Sequence, residues 1–117
     1  MKCYGLTLLL RDDAAKIAAY KAHHQRVWPE VTANIRAAGI HEMRIFLLGR
    51  RMFIYVEADD AFDPQTDFAR INEHPKSKAW DDLMRGLQEL APEAQPGEWW
   101  ALMEQVFDLN WPQHRPQ

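Results

Sequence analysis

Between Asp12 and Gly39, six residues follow one another at steps of three or four: Ile17, Tyr20, His24, Val27, Val31 and Ile35. That step is the period of one helix face. The stretch is predicted to be one long amphipathic helical segment. Asp12 or Asp13 caps its start, because a short carboxylate accepts the free N–H groups of a first turn. Pro29 lacks an N–H and crowds the preceding turn, which predicts a kink or restart near Trp28. Gly39 suits the C-terminal cap.

The pattern changes to a period of two elsewhere. From Lys2 to Leu10, Tyr4, Leu6, Leu8 and Leu10 alternate with Cys3, Gly5, Thr7 and Leu9. Both sets are largely apolar, which predicts a strand covered on both faces. Ile40 to Leu48 and Arg51 to Ala58 read as a hairpin closed by Gly49-Arg50. His41, Met43, Ile45 and Leu47 are expected on one face of its first strand, and Ile40, Glu42, Arg44, Phe46 and Leu48 on the other. Glu57 falls in the second strand beside Phe53 and Tyr55, an unusual place for a carboxylate. It is expected to pair with an arginine such as Arg44, or to serve a site.

Asp59 to Pro64 is read as a loop and Phe62 to Glu73 as a short helix ended by His74-Pro75. A further helix is expected from Lys76 to Leu90, with Trp80, Leu83, Met84, Leu87 and Leu90 inward. After a loop from Ala91 to Gly97, Glu98 to Leu109 reads as a last strand. The order strand, long helix, strand, strand, helices, strand is the split β-α-β layout of a ferredoxin-like α+β domain. Residues 1–109 form that single domain, and 110–117 read as a polar tail. Strands apolar on both faces leave the uncovered face as a partner surface, which a homodimer would cover.

Composition narrows the function. The chain has 117 residues, 47% of them hydrophobic and 26% charged, with a net charge of −3. Such a chain can bury a core, and it shows no basic cluster for nucleic acid. The single cysteine, Cys3, excludes an internal disulfide and gives no metal pair. No apolar run is long enough for a signal peptide core or a membrane span, so a cytoplasmic location is expected. Metal-ligand spacing, phosphate loops and nucleophile elbows are absent from the motifs. What remains is proton transfer without a cofactor, or binding alone.

The chemistry-bearing candidates sit on the inward stripes. Tyr20 and His24 are one turn apart and can line the same small volume. An imidazole can give and take protons near neutral pH. The residues alone equally allow a satisfied core histidine packed on a tyrosine. Trp28 and Trp80 offer flat apolar faces of the kind that meet a sugar's C–H face, although a tryptophan on such a stripe is more often core. Asp81 flanks Trp80 early in its helix, where a carboxylate also suits the helix dipole.

The string Tyr20-Lys-Ala-His-His24-Gln-Arg-Val-Trp28-Pro29-Glu30 resembles the helix motif of the L-rhamnose mutarotase family. The resemblance continues at Gly39, Val56-Glu57, Trp80 and the run from Glu104 to Phe107. It implies a dimeric α+β barrel of ferredoxin-like subunits. It further implies interconversion of the α and β anomers of a 6-deoxy sugar, without metal or cofactor. By that resemblance His24 is the proton donor and Tyr20 binds sugar. Two positions depart from the family. Met43 stands where the rhamnose enzymes carry a second binding tyrosine, and Asp81 replaces the second residue of a tryptophan pair. Both point to the L-fucose branch, with Asp81 accepting from a differently placed hydroxyl. Two other readings stay open: a cofactor-free monooxygenase on the same barrel, and a sugar-binding module without turnover.

Overall fold

The computed structural model describes residues 1–116. Its elements are β1 (Lys2–Leu10), α1 (Ala14–His24), α2 (Pro29–Ala37), β2 (Ile40–Leu48), β3 (Arg51–Ala58), α3 (Pro64–Ile71), α4 (Pro75–Arg85), β4 (Gln88–Glu89) and β5 (Ala101–Met103). The sheet runs in the order β2-β3-β1-β4 and is antiparallel throughout. β5 joins β1 along the same edge as β4. This is the ferredoxin-like α+β arrangement, with helices on one face of the sheet.

Local chemistry explains the breaks. The Asp13 carboxylate accepts from the backbone N–H groups of Ala15 (2.9 Å) and Lys16 (3.2 Å), which starts α1. The expected restart falls where Pro29 stands: α1 ends at His24, and Pro29 opens α2 in the one helical turn that tolerates it. Gly39 adopts φ +95°, the conformation that ends α2 and turns the chain into β2. His74 precedes α4 and Pro75 opens it.

Strand register decides which residues face the helices. Leu6 pairs with Ile54 and Leu8 with Met52 across β1 and β3, and Ile45 pairs with Ile54 across β2 and β3. These residues form the covered face, on which Leu8, Leu10, Met52 and Val56 are fully buried. Five consecutive β1 residues, Leu6 to Leu10, are buried, as expected for a strand covered on both sides. The rest of the second face is open: Phe46, Leu48, Phe53 and Met103 are exposed there, and Phe46 and Phe53 stack on each other at 6.2 Å.

Four expectations need correction. A bulge between Ile40 and Glu42 inserts an extra residue into β2. It turns Ile40 into the core, where it is buried, instead of onto the face of Phe46. The last helix stops at Arg85, because Gln88 and Glu89 pair with Leu10 and Leu9 of β1. Leu83 and Leu90 are therefore exposed, while Trp80 and Met84 hold the core. The last strand shrinks to Ala101–Met103, which pairs with Gly5 to Thr7. Beyond it the chain leaves the β1 edge, and Val106, Phe107 and Leu109 are exposed: strand composition by itself does not make a strand. Finally, Glu57 pairs with Cys3 in register and so faces the open side of the sheet. Its expected partner Arg44 instead reaches Glu42 at 3.3 Å. The tail forms a 3₁₀ turn at Pro112–His114, against which Phe107 packs; its last residue, Gln117, lies outside the described residues.

Candidate active site

A cavity of ≈ 1170 Å³ lies between the helices and the covered face of the sheet. Its floor includes Met43, Ile45 and Leu47 of β2 with Met52 and Ile54 of β3. Tyr20, His24, Trp80 and Asp81 come from the helices, and Gln88, Trp99 and Trp100 from the segments after α4. An apolar basin with a few convergent polar groups is the usual form of a small-molecule site.

The centre of this group is built by the last turn of α1. The rings of Tyr20 and His24 stack with centroids 4.2 Å apart. Trp80 meets His24 edge to face at 5.4 Å. The helix carrying Trp80 is held to α2 by the Asn34 amide, which donates to the buried Ser77 hydroxyl at 2.9 Å.

One hydrogen bond fixes what His24 can do. Its Nδ1 lies 2.9 Å from the Tyr20 carbonyl oxygen. A carbonyl only accepts, so Nδ1 carries the proton and Nε2 bears the lone pair of the neutral ring. Nε2 has no hydrogen-bond partner among the described residues. Burial holds the His24 pKa below its ordinary value, and the nearby His23 pushes the same way, against the Tyr20 carbonyl. His24 is thus a neutral base near neutral pH. Tyr20 is buried, which pushes its phenol up to about 12, with Gln88 pulling the other way. It stays protonated over the working range and acts as a hydrogen-bonding hydroxyl.

The other sequence candidates divide. Asp81 lines the cavity, and its Oδ2 accepts from Arg85 Nε at 2.7 Å. Oδ1 has no protein hydrogen bond among the described residues. Met43 lies on the cavity floor. Trp28 is not on the lining. It stands behind Trp80, edge to face at 5.2 Å, with the Lys76 ammonium 5.9 Å from its ring centre. Glu57 is separated from the cavity by the sheet.

Sequence reasoning missed Gln88 and Arg85 and put Trp99 in the last strand, whereas it lies in the segment before β5. Gln88 was hidden inside the overlong helix, and its position follows from β4 pairing with β1, a long-range contact with no local signal. Among the described residues no group of three or more His, Cys, Asp or Glu is placed to hold a metal ion. Among the described residues no helix is long and apolar enough to cross a membrane.

With this geometry in view, comparison with known proteins is informative. The family model described as L-rhamnose mutarotase matches residues 3–109. The chain belongs to the L-rhamnose mutarotase family. It is a sugar mutarotase of the rhamnose and fucose type, an isomerase of sugar anomers. It is 39% identical over 110 residues to an L-fucose mutarotase of Xanthomonas campestris, covering 92% of this chain and 86% of that protein. It is 45% identical over 114 residues to a UPF0734 protein of Dictyostelium discoideum, covering 94% and 91%. Among solved structures, the L-rhamnose mutarotase of Formosa agariphila matches with a TM-score of 0.66 at 19% identity. That match covers 92% of this chain and 98% of the other, and it bears on the fold.

Proposed function

We propose that this chain interconverts the α and β anomers of a 6-deoxy-L-hexose, with L-fucose preferred to L-rhamnose, and that His24 is its acid/base. The observation that carries the reading is the free Nε2 of a neutral His24, stacked on Tyr20 and flanked by Trp80 in one cavity.

The mechanism follows from the sugar's connectivity. The anomeric hydroxyl oxygen and the ring oxygen hang from the same carbon. His24 Nε2 takes the hydroxyl proton as the bond from the anomeric carbon to the ring oxygen breaks. The imidazolium then delivers that proton to the ring oxygen. The open-chain aldehyde turns about its first carbon–carbon bond and closes on the other face by the reverse steps. Tyr20 hydrogen-bonds a sugar oxygen, and Trp80 supplies an apolar face. General acid–base help of this kind gives about 10²–10⁴-fold.

Fucose is favoured by Met43 and Asp81. Met43 has no hydroxyl to offer where the rhamnose enzymes present a tyrosine. Arg85 keeps the Asp81 carboxylate oriented, so Oδ1 is left to accept from the sugar. The relative in Xanthomonas supports the same preference. Residues 1–109 carry this activity in our reading, with 110–117 as an appendage. The functional unit is a homodimer, because the open sheet face and the exposed run from Val106 to Leu109 leave apolar surface to cover. Light scattering checks that point: a monomer at micromolar concentration would overturn it.

The deciding experiment is exchange NMR with L-fucose and L-rhamnose side by side. Faster exchange of L-fucose supports the full reading. Faster exchange of L-rhamnose removes the specificity argument, and no acceleration of either removes the mutarotase role for these sugars. The pH profile carries a second prediction. His24 works as the unprotonated base and its pKa lies below the ordinary histidine value of about 6.5. Activity therefore stays flat through neutrality and falls only as pH drops below that value. The Tyr20 phenol imposes no alkaline loss before pH nears about 12. An acid limb centred at or above the ordinary histidine value would contradict the assignment.

A further inference from the structure

Gln88 is 3% exposed; it pairs with Leu10 of β1, which packs in the same cluster as Tyr20, and Gln88 and Tyr20 line one cavity. Its side chain is not free to choose its orientation. The indole N–H of Trp99 donates to Gln88 Oε1 at 2.8 Å. An indole N–H is a donor only, so it selects the amide oxygen and turns the amide NH₂ away from Trp99. Trp99 is in turn covered by the Arg85 guanidinium, whose centre lies 4.5 Å from the ring centre. Arg85 is anchored by Asp81 at 2.7 Å. A continuous line of contacts therefore runs from Asp81, which faces the cavity, to the Gln88 amide.

We propose that Gln88, oriented by Trp99, is a positioning residue that donates to the Tyr20 hydroxyl and thereby makes Tyr20 a hydrogen-bond donor toward the sugar. The proposal rests on the reading that Tyr20 faces the substrate. The chemistry is a matter of lone pairs and protons. A phenol has one proton to give. When its oxygen accepts from Gln88 NH₂, that proton points elsewhere, and the cavity is where an acceptor arrives. The downward pull of Gln88 on the Tyr20 pKa fits an amide that donates to the phenol oxygen. A donor fixed in advance meets a ring or hydroxyl oxygen without reorganising. The side chain that anchors the far end of the line, Asp81, is the one assigned to read a sugar hydroxyl, so the two ends of the site share one frame.

The test uses Gln88→Met and Gln88→Glu with two readouts. The first is the ring-carbon resonance next to the Tyr20 hydroxyl in isotope-labelled, sugar-free protein, assigned with Tyr20→Phe. Gln88→Met shifts it, because the phenol oxygen loses its donor. The second is the split between half-saturation and turnover in sugar exchange. Gln88→Met raises the half-saturating sugar concentration about 3- to 10-fold, with turnover at saturation changed much less. Gln88→Glu still accepts from Trp99 but also accepts from Tyr20, taking the proton away from the sugar. It is expected to bind sugar more weakly than Gln88→Met. Should the buried carboxylate prevent folding, Gln88→Met with Trp99→Phe answers the same question: the pair is no worse than Gln88→Met alone. An unmoved Tyr20 resonance and an unchanged half-saturation in Gln88→Met would overturn the proposal. If the unaltered protein exchanges neither sugar, the mutarotase reading fails, while the Tyr20 resonance still decides whether Gln88 sets the hydroxyl.

Discussion

His24→Ala is expected to slow anomer exchange by about 10²–10⁴-fold while the protein stays folded. The asymmetry comes from where the imidazole spends its contacts. It is half-buried and makes one hydrogen bond, to a carbonyl of its own helix. It stacks on Tyr20 and meets Trp80 at an edge, contacts of about 0.5–1.5 kcal/mol each. Its loss does not strand the Tyr20 carbonyl, which sits within α1. The stability cost is therefore modest beside the rate loss. Exchange NMR gives the rate, and a thermal melt gives the stability. Added imidazole should restore part of the rate in the vacated space, since what the variant lacks is a movable proton rather than a scaffold. A variant that exchanges sugar at the original rate would place the acid/base elsewhere in the cavity. So would His24→Ala with an acid limb in its pH profile like that of the unaltered protein.

How much of this was legible in the chain depends on range. The helix face that joins Tyr20, His24, Val31 and Ile35 is a local pattern, and the structure keeps it. The restart at Pro29 and the cap at Asp13 are local too, because one side chain and its nearest backbone decide them. Register is different. Glu57 alternates with Val56 and Ala58, so a two-residue period put it on one face or the other. Only pairing with Cys3 shows that its face is the open one. Ile40 was assigned by strict alternation, and a single bulge reversed it. The run after Met103 carries strand composition, yet it does not continue along the β1 edge. Gln88 is the most instructive miss. A helix was extended over it because Leu87 and Leu90 continue the step from Trp80. The long-range pairing with Leu10 places it in the site. The candidate site was thus legible where its residues share one helix face, and hidden where the sheet edge supplies them.

Trp80→Ala should show the opposite profile to His24→Ala: a large loss of stability, on which any loss of exchange is superimposed. Trp80 is buried in the cluster that includes Leu8, Leu10, Tyr20, Met52 and Met84. It also meets Trp28 at 5.2 Å and His24 at 5.4 Å, so its removal unseats two further rings. Truncating a buried tryptophan costs about 3–5 kcal/mol. Against the typical 5–15 kcal/mol of a whole domain, that is a melting point lower on the order of 15 °C. Trp80→Phe separates packing from binding. A phenyl ring keeps an aromatic edge toward His24 and Trp28 and leaves a smaller gap, so it recovers most of the stability. It offers less flat surface to a sugar, so the half-saturating concentration rises even as the melt recovers. Stability and half-saturation that return together would make Trp80 a core residue that happens to border the cavity. Stability restored with sugar binding still weakened identifies the indole face as the platform. The rate at saturation, in either variant, should fall less than in His24→Ala, because the proton-accepting Nε2 of His24 is still present.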